Sequence, residues 1–336
     1  MMTILVLGAT GTLGAYITLH LKDKGYNVIA AGRRKNDNGF FKEHGIDYYS
    51  IDISNKEDFN LLPQNGIDVV ADFAGALPAS MKGYDASLYI DSIFKGTYNV
   101  LEYMRRNSIP KIIFPESLFD ISYLFGSRSP IDPDSLRKAP LTGDHAMYVI
   151  AKMAAVDTIL HYKEAYGMKA FILRLSRVYA YHPNPYTYTD GEKVMVSDRL
   201  LIKKAENGEP IEIWGEPDRL LETCAMPDFL QIVEKCVESK LPGGIYNIGS
   251  GGSTLEERIK GIVEVFSPAD NRSEVTYAPE KRSAMQFVLD IKKTQDELGY
   301  KPEYSWIDYC RWFKNEQKAQ RFSGLWGDES TYMNEA

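Results

Sequence analysis

The stretch Thr3–Ile17, TILVLGATGTLGAYI, decides how the fold is read. It opens on an apolar run of strand length, suited to a parallel strand buried on both faces. Glycines follow at positions 8, 11 and 14, in the spacing G-x-x-G-x-x-G. A helical pattern then runs from Leu13 to about Lys24, and Gly25 supplies its end. In such a strand–turn–helix unit Gly8 permits the tight turn, Gly11 lets a pyrophosphate approach the backbone, and Gly14 lets the helix pack closely on the sheet. The amides of Thr12 and Leu13, with Thr10 in the turn itself, face the phosphates from a helix N-terminus. A glycine triplet alone is a weak signal. Its place directly after an apolar strand and before a helix points to a dinucleotide site. The alternative is a merely structural Gly-rich turn.

Working outward, strands are expected at YNVIAA, DYYSID, DVVADFAG, KIIF and KAFILRL, with a long helix around Ser87–Asn107 and another from Ala146. Strands alternating with helices predict a parallel sheet covered on both faces, an α/β fold. After Val178 the texture changes. YAYHPNPYTYTDGEK reads as a Pro- and Tyr-rich loop, long enough to be a lid or a binding segment. Its tyrosines 179, 181, 186 and 188 could stack on a base or sugar ring, or form a lid or dimer contact. Beyond it, helices are expected near Ser197–Asn207, Asp228–Glu238, Leu255–Phe266 and Ile291–Leu298, and strands at IEIW and GIYNIGS. The domains expected are 1–176, with 220–248 returning to it, a smaller unit from 177–219 and 249–325, and a loosely held polar tail at 326–336.

Composition excludes several classes. The 336 residues are 44% hydrophobic and 25% charged with a net charge of −7, which argues against nucleic acid as a partner. The three cysteines, Cys224, Cys236 and Cys310, form no CxxC, and the five histidines form no HExxH, so neither a disulfide framework nor a metal site is expected. The N-terminus enters a strand at once without a basic region, and no apolar run approaches ~18 residues. The expectation is a soluble, cytoplasmic protein that does not engage a membrane.

The end of the second strand bears on which dinucleotide binds. A carboxylate there would hydrogen-bond a ribose 2′-hydroxyl and repel a 2′-phosphate. The sequence is AAGRRK, with Gly32 in that place and Arg33 and Arg34 after it, which suits NADP and leaves NAD as the alternative. Asp52, before Ile53, is placed to accept from an adenine amino group, or to cap the next turn; both can hold.

In AMYVIAKMAAVDTIL, Val149, Met153, Val156 and Leu160 form a core stripe. Tyr148 and Lys152 lie beside it, one turn apart. An ammonium there stabilises tyrosinate and lowers the phenol's pKa, which equips it to exchange a proton with a carbinol or carbonyl while hydride moves to or from nicotinamide. A lone Y-x-x-x-K is more often structural. The context favours chemistry, because KIIFPES ends in Ser117 at the C-terminal end of a parallel strand, where ligands bind.

Gly8, Gly11 and Gly14, the Asp52–Ile53 pair, Phe73, Ala74 and Gly75 in FAGA, Ser117, Tyr148 and Lys152 occur in the order seen in short-chain dehydrogenases/reductases. The sequence resembles their extended branch, the NAD(P)-dependent epimerase/dehydratase family, which acts mostly on nucleotide sugars. KGTYNVLEYMRRN, ILRLSRVYA, GEPIEIWG, GGIYNIGSG and LGYKP carry the likeness over most of the chain. It implies a Rossmann doubly wound parallel sheet with a smaller C-terminal α/β substrate domain. It implies Tyr148 as acid/base, Lys152 on the nicotinamide ribose and Ser117 orienting substrate. It implies a homodimer through the two long helices, with Tyr89, Phe94, Met104, Ile159 and Tyr162 supplying apolar surface.

The departures matter as much. Leu118 and Phe119 stand where 4,6-dehydratases resemble one another in carrying Asp and Glu, so a dehydratase is not expected. Ile93 and Arg177 replace Asn, and Leu221 replaces a phosphate-binding Arg, with Arg219 two residues out of register and Arg282 displaced. Arg177, Arg219 and Arg282 are the candidates to hold a substrate pyrophosphate, or are ordinary surface arginines. Glu116 is either a second carboxylate near the chemistry or a strand-end residue turned away, the latter favoured. The expected function is hydride transfer at a sugar carbinol, by an epimerase or a reductase. The alternatives are a reductase of a non-nucleotide carbonyl substrate and a catalytically silent NADP-binding regulatory protein.

Overall fold

The computed structural model describes residues 1–78, 83–143, 145–189 and 191–333. Six parallel strands, β1 (Thr3–Leu7), β2 (Asn27–Gly32), β3 (Asp47–Ser50), β4 (Val69–Asp72), β5 (Lys111–Ser117) and β6 (Lys169–Leu175), lie in the order 3-2-1-4-5-6. A seventh, Gly243–Ile248, adds beside β6 in parallel register. Successive residues of a strand face opposite sides, so each strand feeds two cores. Ile4, Val6, Ala30 and Ile113 pack under α1 (Thr12–Asp23) and the helix Met226–Glu238. Leu5, Leu7, Val70, Ile112 and Phe114 pack under the helices of the other face. Strand order reverses between β1 and β4, which opens a crevice at their C-terminal ends.

The short helices α2 (Phe40–Glu43) and α3 (Ala86–Tyr89) precede α4 (Gly96–Arg106). The expected helix around Ser87–Asn107 is therefore α3 and α4 joined by a π turn over Ile90–Lys95. The wider turn carries Ile93 inward against Gly75. The helix α5 (Ala146–Tyr166) carries Tyr148 and Lys152 and stops at Gly167 in the left-handed region.

The smaller unit has its own core of Ile202, Ile211, Ile213, Ile262, Phe266, Tyr309 and Phe313. Strand Ile211–Trp214 pairs with Val275–Ala278 in parallel. Two expectations are corrected here, and one helix is added. The Tyr-rich loop is a strand, Arg177–Tyr179, followed by an antiparallel hairpin of Tyr186–Thr189 with Glu192–Met195. Tyr179 and Tyr181 are buried in the core, and Tyr179 also borders a cavity. A helix at Trp306–Ala319, started by a Ser305/Asp308 capping box, went unread in the sequence. The tail is not loosely held through Met333. Trp326 is buried, Tyr332 donates to the Trp326 carbonyl, and Lys193 donates to the Tyr332 carbonyl. Residues 334–336 lie outside the described residues.

Candidate active site

The crevice is built by the β1–α1 turn. Gly8 has φ +77°, and a Cβ there would stand 2.6 Å from the Phe73 carbonyl oxygen. A Cβ on Gly14 would stand 2.1 Å from the Gly8 carbonyl oxygen, so backbone forbids any side chain at either place. At Gly11 the Cβ position meets only the Gly8 oxygen, at 3.3 Å, leaving its outer face open. Two cavities, of about 490 and 380 Å³, share Gly11 and the Phe73–Ala76 segment, one on each side of the turn. Glycine approach, the N-terminus of α1 and a cleft running both ways from it fit a dinucleotide with its pyrophosphate at the turn.

The larger cavity is bordered by Thr10, Gly32, Arg33, Arg34, Asp52 and Ile53. Gly32 closes β2 with no carboxylate. The Arg34 guanidinium donates to the Leu325 carbonyl, so of these two arginines Arg33 is the uncommitted one among the described residues. Arg34 and Arg199 also reinforce the burial that pushes His182 down to about 4. Asp52 Oδ1 accepts from the Ser54 amide and hydroxyl at 2.9 and 2.8 Å, so it does cap its turn. Ile53 is buried, its carbonyl held by Asn99 at 2.8 Å.

The smaller cavity brings Thr12, Leu13 and Gly14 opposite Ser117, Tyr148 and Lys152. Ser117 borders the same cavity as the Tyr148 phenol, and its hydroxyl accepts from the Phe119 amide at 3.3 Å. Burial pushes the phenol's pKa well up, the Glu116 carboxylate adds to this, and the Ser117 hydroxyl opposes it. The expectation that Lys152 lowers the phenol's pKa is not met by this arrangement. Its ammonium turns to the Pro115 carbonyl at 2.8 Å and lies over the Phe114 ring at 4.3 Å. Burial lowers Lys152 to about 8, against the pull of Glu116 and Asp72. Glu116 is not turned away from the site. It is 2% exposed, borders the same cavity, and is pushed up by burial and by Asp120. Asp72, at the end of β4, is raised by burial to about 6, with Lys152 opposing. Asp72 went unread in the sequence; for Glu116 the signal was a long acid in a wholly buried strand. Asp120 is held by a bidentate Arg174, at 2.9 and 2.8 Å, which fixes the turn after β5.

The three arginines stand apart. Arg177 lies over the Tyr179 ring and 3.6 Å from Asp198, bordering a third cavity of about 340 Å³ with Arg199, Tyr309 and Phe313. That cavity also borders Thr12, Leu13 and Ser176, so it adjoins the catalytic one. Arg219 is buried and donates to the Ala284 carbonyl at 2.9 Å, with Arg258 as a charged neighbour. Arg282 is exposed two residues from Ala284. Arg219 and Arg282 thus lie on adjoining segments, and Arg177 faces elsewhere.

Known proteins share this fold and much of the chain's length. A putative UDP-glucose 4-epimerase of Methanocaldococcus jannaschii is 26% identical, over 94% of this chain and 99% of its own length. Among solved structures, the UDP-N-acetylglucosamine 4-epimerase of Bacillus cereus superposes with a TM-score of 0.74 at 19% identity, covering 93% of this chain and 98% of that one. The UDP-glucose 4-epimerase of Thermus thermophilus, solved with NAD, gives 0.69 at 20% identity over the full length of both chains. The model of the NAD dependent epimerase/dehydratase family matches residues 4–249, and the chain belongs to that family.

Proposed function

We infer that the protein is a nicotinamide-dinucleotide-dependent enzyme acting on a carbinol of a nucleotide-linked sugar. The observation that carries this is the phenol of Tyr148, set with Ser117 and Lys152 in a cavity whose opposite wall is the glycine turn. In this reading Gly8, Gly11, Thr12, Leu13 and Gly14 hold the pyrophosphate, and Asp52 and Ile53 border the adenine. When bound, the dinucleotide supplies a hydride acceptor and donor. Tyr148 exchanges the proton at the carbinol oxygen, Ser117 orients that oxygen, and Lys152, once a ribose displaces the Pro115 carbonyl from its ammonium, holds the ribose hydroxyls. Gly32 without a carboxylate and a free Arg33 support NADP, while relatives solved with NAD support the alternative. The relatives named as sugar-nucleotide 4-epimerases support epimerisation at C4. Leu118 and Phe119 border the cavity with no proton-transferring group, which speaks against 4,6-dehydration. Net reduction is the second reading, favoured by Arg33 and by the buried acids around Lys152.

The test is direct. The dinucleotide that co-purifies is identified, and UDP-glucose, UDP-galactose and their N-acetylated forms are incubated with the protein. Epimerisation interconverts a sugar pair with no change in dinucleotide absorbance; reduction consumes one reduced dinucleotide per product. A ligand of the native state raises stability by roughly 2.7 kcal/mol at a hundredfold excess over its dissociation constant, so a thermal shift reports binding. No shift and no turnover with any of these sugars would overturn the substrate class.

A further inference from the structure

One buried ammonium faces two buried carboxylates. Lys152 donates to the Pro115 carbonyl, and the charged groups that act on it are Glu116 and Asp72. Asp72 accepts one amide, from Ala74 at 3.2 Å, and Glu116 accepts one, from Ser117 at 2.9 Å. In each the second oxygen, Oδ2 of Asp72 and Oε2 of Glu116, is buried with no hydrogen-bond partner. The surrounding charges are already matched: Asp120 pairs with Arg174, and Arg137 with Asp157. Tyr148 and Tyr89 add phenols, and His145 borders the same cavity edge-on to Tyr148. Lys152 therefore leaves one excess negative charge in a buried site. Such a charge is costly, and a group so placed keeps a proton instead. A carboxyl oxygen lacking a donor is where that proton resides, and coupled acids share it.

We propose that Asp72, Lys152 and Glu116 together hold one exchangeable proton beside Tyr148 and form the proton store of the site. The inference rests on Tyr148 as the acid/base. When the phenol gives its proton to the substrate oxygen, the cluster returns one to the phenolate. Both carboxylates are then ionised until solvent resupplies the proton; the reverse sequence serves oxidation. Epimerisation leaves the proton balance unchanged over a turnover. Reduction of a carbonyl consumes one proton each time, so the store suits a net reduction. Asp72 and Glu116 act here as positioning residues, through Lys152 and Tyr148.

The experiment is infrared difference spectroscopy of the full-length protein, without substrate. At pH 6 the native protein is expected to show the carbonyl stretch of a protonated carboxylic acid that disappears above neutral pH. Glu116→Gln leaves Lys152 matched by Asp72, and Asp72→Asn leaves it matched by Glu116. Either substitution alone is therefore expected to abolish that band. Lys152→Met removes the ammonium and is expected to move the band's loss to higher pH. Circular dichroism shows whether each variant is folded. Absence of the band in the native protein, or its survival in either folded acid variant, overturns the shared proton. Because no substrate is used, that failure leaves the Tyr148 reading untouched, and an unaffected Tyr148→Phe turnover would sink that reading alone.

Discussion

Trp326 donates its indole N–H to the Thr10 carbonyl at 2.9 Å, across 316 positions of chain. The bond fastens the C-terminal segment to the turn that faces the dinucleotide. The ring is buried and lies 4.4 Å from both Phe322 and His182. Trp326→Phe keeps the ring and loses the donor, so it is expected to cost about 1 kcal/mol. Trp326→Ala empties a packed aromatic site and is expected to cost about 3–5 kcal/mol. Urea unfolding measures both. Equal losses would mean that the donor, not the packed ring, makes the contact.

Tyr148→Phe removes one oxygen from the cavity and leaves its walls in place. Turnover of the responsive UDP-sugar is expected to fall by at least ~100-fold, the usual scale for a lost general acid/base, with dinucleotide affinity kept. Steady-state rates and a dinucleotide titration check the two halves. Unchanged turnover would remove the phenol from the mechanism.

The glycine turn and the Tyr148–Lys152 pair were legible because local sequence makes them. A strand, three glycines and a helix start are contiguous from Thr3, and Tyr148 and Lys152 sit one helical turn apart. What stayed hidden is long-range. Asp72 and Glu116 come from different strands, and both act on Lys152 of a third element, because β4 and β5 are neighbours in register. Arg174 finds Asp120 across 54 residues, and Trp326 finds Thr10 across 316. Arg177, Arg219 and Arg282 looked equivalent as charges, yet their surroundings separate them: an aromatic cavity wall, a buried carbonyl contact and open solvent.

Arg33→Ser tests the dinucleotide preference. Loss of an uncommitted guanidinium beside a 2′-phosphate is expected to weaken NADP at least ~10-fold, about 1.4 kcal/mol, and to leave NAD unchanged. Arg34→Ser is expected to matter less to NADP, since that guanidinium is held by the Leu325 carbonyl. Titrations followed by protein fluorescence distinguish them. Equal weakening of both dinucleotides would place Arg33 on a part they share.

Stability carries the imprint of the buried acids. Glu116 and Asp72 have folded pKa values raised above their ordinary 4.5 and 3.8, to about 7 and about 6. Between those limits the folded state binds more protons than the unfolded, so these groups make stability fall as pH rises from about 4 to 7. Lys152 is lowered from 10.5 to about 8, so the folded state binds fewer protons there, and this group makes stability rise from about pH 8 to 10.5. Glu116→Gln is expected to flatten the first slope. Urea unfolding at several pH values measures it, and a slope unchanged in that variant would show that Glu116 is ionised throughout.

The pairing surface also changes in the folded protein. Tyr89, Met104, Ile159 and Tyr162 are buried, which leaves Phe94 alone of the five residues expected to supply an interface. Ile90, Phe94 and Tyr98 instead form an outward row, each 40–47% exposed, because the π turn carries Ser92 and Ile93 inward and leaves these three on the other side. Tyr166, 53% exposed at the end of α5, is a further exposed aromatic. A row of large apolar side chains four residues apart is the form a helix–helix contact takes. On the reading of a homodimer through α4 and α5, Phe94→Asp buries an unpaired carboxylate at the centre of that row and is expected to give a monomer. Tyr89→Phe, inside the fold, is expected to leave the dimer intact. Light scattering at micromolar concentration reads the mass, and a monomeric native protein would overturn this face as a pairing surface.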